Sequence, residues 1–591
     1  MPSKPFMSSK LFSATLVAAT LLFAACSKKG PSYAQYIPKE ASYVMAVDVK
    51  SMVGKLESDS LTVENMLEIL KDTDEPADYT RALGIWKQFK DAGLDWNNPL
   101  LLAVPQLDMD AGKLEFEIVA GLSDAKKLEA FIAQLPDAPK VQKEKDLSFA
   151  LTADWAIGWN SSAVMILGNN NDLQALNGYV NPIDSNIAPV PGSAAAPIEK
   201  LKKYFALAKD ASVVSVAEFN NMMEKKSDIA IFTNSSSALN SASANAALAM
   251  MPKVKDLVEG LYSTTYINFE DGKIVMDANT FAGKKLSELL KKYAGPQIDR
   301  SMVEAYPGTP MGISAFSFKP ALIPGMLAET GLDALANLGL SQAGTTVDEI
   351  SKCFAGDFAV IFGDFKLQQV LKTSYDGSTY TSTEPDGNLV VAVKVGDKAL
   401  LDKLLALATK QGMLLRSGNR LMLANNGVAD TTAKVALGIE NNMLIFSNNE
   451  ATYKAYAANT SKASLPTSAV DAIDKKSVAF WMDGEKLLGG IPETIFDSTE
   501  VHSKNMLVRA KQVFKSAWFN SDNFDGKKIN GKAELGLAPG KNALPQLVRF
   551  LMYVAEESKA RDAALRSSWD TVEPSVADSA AAVELPTPKV P

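Results

Sequence analysis

Internal repetition at a long period constrains this chain more than any other feature. WAIGWNSSAVMILGNN, starting at Trp155, aligns without a gap on VALGIENNMLIFSNNE, starting at Val435. Gly158 falls on Gly438, and the polar pair Ser161–Ser162 falls on Asn441–Asn442. Each stretch reads as two apolar strands joined by a tight turn. A sequence that repeats itself folds the same supersecondary pattern again.

Other segments match in the same order. IVAGLSDAKKLEAFI (118–132) parallels VVAVKVGDKALLDKLL (390–405), with Asp124 on Asp397. Both read as a strand followed by a helix whose first turn is capped by the aspartate, with Leu128, Phe131 and Ile132 at helical spacing. KKSDIAIF (225–232) parallels KKSVAFWM (475–482). YINFEDGKIVMDANTF (266–281) parallels NFDGKKINGKAELGL (523–537), with Asp271–Gly272 and Asp525–Gly526 as hairpin turns. IPKEASYVMAVDVKSM (37–52) resembles YPGTPMGISAFSFKPAL (306–322) more faintly. The offset drifts because each copy carries an insertion: 181–197 in the first and TSYDGSTYTSTEPDGN (373–388) in the second. Both insertions read as exposed loops.

The expected fold is therefore α+β: two tandem homologous modules, 37–300 and 301–560, each a largely antiparallel sheet with packed helices. A tether, 26–36, precedes them, and a disordered tail, 561–591, rich in Ala, Ser and Pro, follows. NALPQLVRFLMYVAEE (542–557) reads as a closing amphipathic helix with Leu547, Phe550, Leu551 and Val554 on one face. The length, with 47% apolar and 22% charged residues, allows two to four ordinary globular domains. A net charge of −8 argues against nucleic acid as a main partner.

At the amino end, Lys4 and Lys10 precede an apolar run, LFSATLVAATLLFAA, that stops at Cys26. The run is shorter than the roughly 20 residues a membrane-spanning helix needs. A basic start, a short apolar core and small residues before the cut make residues 1–25 a signal peptide. Ala24–Ala25–Cys26 resembles the lipobox of bacterial lipoproteins, with Phe23 where leucine is usual. That resemblance implies cleavage before Cys26 and acyl chains on it, a multi-chain anchor of lasting hold on a membrane. The cysteine is followed by Ser27–Lys28–Lys29–Gly30, without the acidic residues that direct such proteins to the inner membrane or the cell surface. The resemblance thus implies the periplasmic face of the outer membrane. With the lipobox, the 37–52 opening and the doubled strand–helix pattern, the chain resembles a family of Bacteroidota lipoproteins recorded only as a domain of unknown function.

The residues offer little catalytic chemistry. Cys353, the only cysteine besides Cys26, precedes an apolar run and reads as a buried structural thiol. His502 is the single histidine; no G-x-S-x-G elbow accompanies it, and it reads as a satisfied surface side chain. One histidine and one free cysteine do not make a histidine-based zinc site. GLAPGKNA (536–543) lacks phosphate-loop spacing and reads as a turn before the last helix. DMDAGKLEFE (108–117) lacks the order of a calcium loop and reads as a hairpin. Trp155 and Trp159 share one strand face and read as core rather than a sugar platform. Met222–Met223 and Met250–Met251 read as core filling. The expectation is a non-enzymatic, lipid-anchored envelope protein with no cofactor and no metal, binding a protein, glycan or lipid partner. The alternatives are a carboxylate-dependent hydrolase of envelope glycans, needing two facing carboxyl groups, or a binder of apolar molecules between the modules, needing an apolar pocket.

Overall fold

The computed structural model describes residues 30–570, apart from 69–75, 106, 109–112, 115, 136–138, 153–154, 169–194, 241–251, 426–427, 430–434, 460–461 and 498–499. The class is α+β, built on one antiparallel sheet of 21 strands. Apart from the short edge strand Val428–Ala429, its first-half strands are β1 (Tyr43–Val47), β2 (Leu100–Val104), β3 (Glu117–Gly121), β4 (Gln142–Glu144), β5 (Leu147–Leu151), β6 (Trp155–Trp159), β7 (Ala163–Gly168), β8 (Ile229–Asn234), β9 (Tyr262–Glu270) and β10 (Lys273–Phe281). Those of the second half are β11 (Pro310–Ser317), β12 (Phe354–Thr373), β13 (Thr379–Val395), β14 (Leu414–Ser417), β15 (Arg420–Asn425), β16 (Ala436–Glu440), β17 (Met443–Ser447), β18 (Val478–Asp483), β19 (Phe514–Ser521) and β20 (Lys528–Leu537).

Across the sheet the order is β4-β5-β6-β7-β3-β2-β1-β8-β9-β10, then β20-β19-β18-β11-β12-β13-β17-β16-β15-β14. Each strand of the first half has a counterpart ten labels later with the same neighbours. The register carries across as well. Starting from Met165 and Ile445, which face Gly158 and Gly438, the ladders lead to Val119 and Ala392, then to Leu101 and Ala359. They continue through Ala46 and Ala315, Ala230 and Ala479, and Tyr266 and Asn520 to Asp277 and Lys532. The ungapped match of 225–232 on 475–482 sets Ala230 on Phe480, one residue out of this register. In a strand such a slip turns every side chain to the other face.

β10 and β20 pair with each other, and Asp277 lies opposite Lys532 at the middle of their ladder. The two modules expected as tandem units are thus one continuous sheet, with counterpart residues facing each other across the seam. Alternation along the strands gives each half two apolar faces. In the first half Val47, Leu100 and Ala120 point into one core, while Ala46, Leu101 and Val119 point into the other.

The expected strand–helix units are present. Asp124 accepts hydrogen bonds from the amides of Lys126 and Lys127 and starts the helix Ala125–Ile132. Asp397 does the same with Ala399 and Leu400 for Lys398–Lys410. The hairpin β6–β7 turns through three residues, 160–162, and β16–β17 through two, 441–442. Asn441 and Asn442 adopt left-handed φ in the second, whereas in the first the Asn160 side chain accepts from the amides of Ser162 and Ala163.

Several expectations are corrected. Ser32–Tyr36, placed in a tether, is a 3₁₀ turn whose Tyr33, Ala34 and Tyr36 are buried, because these apolar side chains complete a core. Residues 373–388, expected as a loop, mostly extend β12 and β13 into a projecting two-stranded arm, with Lys366 paired to Asp386 and Lys372 to Glu384. Of 181–197, residues 181–194 lie outside the described residues, and the helix Ala195–Phe205 begins in the remainder. The closing helix runs from Ala543 to Asp570, into the segment expected to be disordered; residues 571–591 lie outside the described residues. It buries Leu544 and packs Leu547, Val548 and Phe550 against the first-half core, but leaves Leu551 56% exposed. Arg549 Nε reaches Asp59 Oδ2 at 3.0 Å. The final helix, which follows the last strand of the second half, therefore caps the first.

Leu544→Ala should cost about 2–4 kcal/mol and speed amide exchange in β1 and β3, although residue 544 follows the second half. Exchange that rises only near residue 544 would contradict this cross-capping.

Candidate functional site

Four counterpart positions on one sheet face meet different surroundings in the two halves. Val47, Leu100, Ala120 and Val164 are sealed in the first-half core. Their ladder counterparts Phe316, Phe358, Val393 and Leu444 line an open cavity of about 580 Å³. In the first half the face is closed by the helices Val49–Glu57 and Pro76–Lys90, by the aromatic group Trp86, Phe89, Trp96 and Phe131, and by the C-terminal helix. In the second half the helices Leu322–Thr330, Asp333–Ser341 and Val347–Lys352 take that place and contribute Ile323, Leu327, Leu340, Val347 and Ile350 to the cavity wall. The helix that follows β10, Lys284–Lys292, is far shorter than its counterpart after β20.

Local chemistry explains how the wall is held. Gly331, at φ 77°, ends the first of these helices in the left-handed conformation glycine favours. Asn337 Oδ1 accepts the Val347 amide at 2.9 Å, tying the second helix to the third. Thr346 caps the third helix through the Glu349 amide, and Glu349 bonds Lys403 at 2.7 Å. Gly356, at φ 105°, lies so close to the Phe318 carbonyl that a side chain would collide with it. The β12 ladder is irregular there, between Phe354 and Phe358. Phe316 and Phe358 stack with centroids 4.6 Å apart and form part of the floor.

The lining that the cavity exposes is apolar, and a polar cluster lies beneath its floor, on the other side of the sheet. Asp357, the one carboxylate of the lining, accepts from the Ser317 hydroxyl at 2.8 Å and lies 3.3 Å from Lys394 Nζ. Lys394 also bonds Asp299 at 2.5 Å. Burial alone would raise the Asp299 pKa; hydrogen bonds from Lys394 and Ser301 outweigh it and hold the carboxyl below its usual range. The same helices leave Leu335 and Leu338 68% and 65% exposed, with Met326 and the cavity-lining Ile323 also reaching the surface. Such an arrangement takes an apolar body.

The residues singled out from sequence fall elsewhere. Cys26 and Met250–Met251 lie outside the described residues. Cys353 is fully buried, its Sγ 3.2 Å from the Glu349 carbonyl. Burial, reinforced by the charges of Asp397 and Glu349, pushes its thiol pKa up and away from nucleophilic use. His502 Nδ1 lies 2.6 Å from Glu557 Oε2, joining the helix Val501–Val513 to the C-terminal helix. Its bond, with others from Tyr553 and Asn505, holds the Glu557 carboxyl down against burial. Residues 538–542 connect β20 to the final helix, as expected. Leu107–Asp108 and Lys113–Leu114 pair as the expected hairpin. Trp155, Trp159 and Met222 are buried in the core. Among the described residues, no cluster of three or more His, Cys, Asp or Glu side chains could hold a metal, and no helix is long and apolar enough to cross a membrane.

Sequence reasoning missed the cavity, and expected any such pocket between the modules rather than inside one. One signal was available: no aromatic residue occurs between Phe318 and Phe354, whereas the matching stretch of the first half carries Trp86, Phe89 and Trp96.

A family model described as "Domain of unknown function (DUF4836)" matches residues 33–483. No curated protein matches. Among solved structures, "Structure of crystal form I of TP0453" matches at 10% identity and a TM-score of 0.20, over 44% of this chain and 81% of that one.

A carboxyl depressed in the folded state contributes stability that is present above its unfolded pKa, about 3.9, and lost as pH falls through the folded value. Wild type should therefore lose stability below about pH 4 more steeply than Asp299→Asn, in urea midpoints taken across that range. Parallel curves would mean that the Asp299–Lys394 bond does not stabilise the cluster beneath the cavity floor.

Proposed function

The chain belongs to that family of unknown function, and from this premise we propose that it is a lipid-anchored, non-enzymatic envelope protein that holds an apolar molecule in its second half. The observation that carries the reading is the contrast between counterpart positions. The fold can close this sheet face, as the first half does, yet the second half keeps it open and apolar. A void of this size left empty forgoes the contacts of its lining. Each methylene buried there would contribute about 0.8 kcal/mol, so a chain of about ten supplies roughly 8 kcal/mol before the cost of association. A glycan hydrolase would need two facing carboxyl groups, and the cavity lining includes only Asp357.

The anchoring part of the proposal rests on the sequence around Cys26. Its acyl chains would hold the chain on the periplasmic face of the outer membrane, within reach of lipids and other apolar molecules. On the same footing, the matched strand order and register support descent of the two halves from one duplicated module.

Two measurements test these parts. Nile red, a neutral apolar fluorophore, should brighten on binding to the wild-type protein. Val393→Trp, which places an indole in the cavity, should weaken that binding by about tenfold or more without lowering the melting temperature, because filling a void does not expose core. Absence of Nile red binding, or indifference to the substitution, would refute cavity binding. Cys26→Ala should move the protein from the membrane to the soluble fraction; retention on the membrane would rule out the lipid anchor.

A further inference from the structure

A second cleft lies at the seam, on the opposite face of the sheet from the apolar cavity. It measures about 370 Å³ and is lined by Asn221, Lys225, Tyr266, Asn279, Phe281, Lys527 and Lys528. Three ammonium groups and two carboxamides converge there, in a protein whose net charge is −8. The groups are already placed. Lys225 Nζ stands 4.1 Å over the Tyr266 ring and 3.0 Å from Asp277. Lys528 Nζ donates to Asn279 Oδ1 at 2.7 Å. Lys527 forms no ion pair among the described residues. Asp277, beside the cleft, is shared with Lys532 at 4.0 Å, and Asp525 lies within charge range of Lys527 and Lys528, so four ammonium groups face two carboxylates and positive charge remains in excess.

This basic character does not follow from the fold. The counterparts of Tyr266, Asn279, Phe281 and Lys528 are Asn520, Glu534, Gly536 and Lys273, by the ladder register. At that corner the aromatic rings are gone, and Lys273 is neutralised by Glu534 at 2.9 Å and Glu270 at 3.9 Å. One of two counterpart corners has therefore kept a cationic, aromatic-walled cleft.

Its position adds to the argument. Asn221 and Lys225 stand at the end of the short helix Ala217–Glu224, whose other face carries Met223, against which Gly30 lies closely. Cys26 is four residues before Gly30, with Lys28 and Lys29 between; four extended residues span roughly 14 Å. A membrane anchor on Cys26 would hold this cleft beside the leaflet.

We propose that the seam cleft binds a phosphate group, as carried by an anionic phospholipid headgroup or by a soluble phosphate. Lysines act on phosphate as point charges, the two asparagines offer amide hydrogens, and Tyr266 and Phe281 wall the neutral part of the ligand. The site is independent of the apolar cavity.

The test is calorimetric titration of the full chain in neutral detergent at low salt, with short-chain phosphatidylglycerol and, separately, inorganic phosphate. Lys527→Gln, on an exposed turn, should weaken binding by about tenfold, the value of one charge-assisted hydrogen bond. Lys541→Gln, remote from the cleft lining, should leave binding unchanged, and added salt should weaken the wild type. Binding of the lipid well above inorganic phosphate supports a headgroup site; equal binding of both supports a soluble phosphate ligand. Failure of both to bind, or binding untouched by Lys527→Gln, overturns the proposal.

Discussion

The antiparallel pairing of β10 with β20 is the constraint on which the rest depends. Backbone amides and carbonyls of a terminal strand must find partners, and here the last strand of each half satisfies the other. This closes what would be two exposed sheet edges. It also places the residue after each final strand on the far side of the seam, which is why the helix after β20 covers the first half. Asp277 and Lys532, counterparts facing each other across the seam, carry opposite charges, an arrangement that identical halves could not have.

From that seam follows the asymmetry of the two halves. The long helix after β20 brings Leu544, Leu547, Val548 and Phe550 to the first-half core, where they meet aromatic side chains already there. The short helix after β10 cannot do the same for the second half. The counterpart sheet positions are as apolar, Phe316 and Phe358 more so than Val47 and Leu100, yet they remain open. Hydrophobic burial is non-directional, so a comparably apolar sheet face becomes core or cavity according to what lies above it. The cationic cleft on the other face shows the same divergence in charge.

Much of the strand inventory was legible. Alternating apolar runs, the tight turns at 161–162 and 441–442, and the aspartate caps at 124 and 397 each act over a few residues, and each is where the sequence places it. Readings that needed distant context failed. The ungapped match of 225–232 on 475–482 was one residue out, since sequence similarity does not see the ladder. Residues 373–388 are polar and rich in turn-formers, yet most of them pair as strand because β12 and β13 already run side by side and simply continue. Leu551 fits a helical stripe but faces solvent, while Leu547, Val548 and Phe550 pack on the core.

The sequence by itself determined the α+β class and the order of most strands and helices, because local propensity and periodicity are properties of neighbouring residues. Only the tertiary structure decided that the two halves share one sheet, that the last helix crosses to the first half, and that an apolar cavity and a lysine-lined cleft remain. Those outcomes rest on contacts between residues hundreds of positions apart, whose partners no local pattern names.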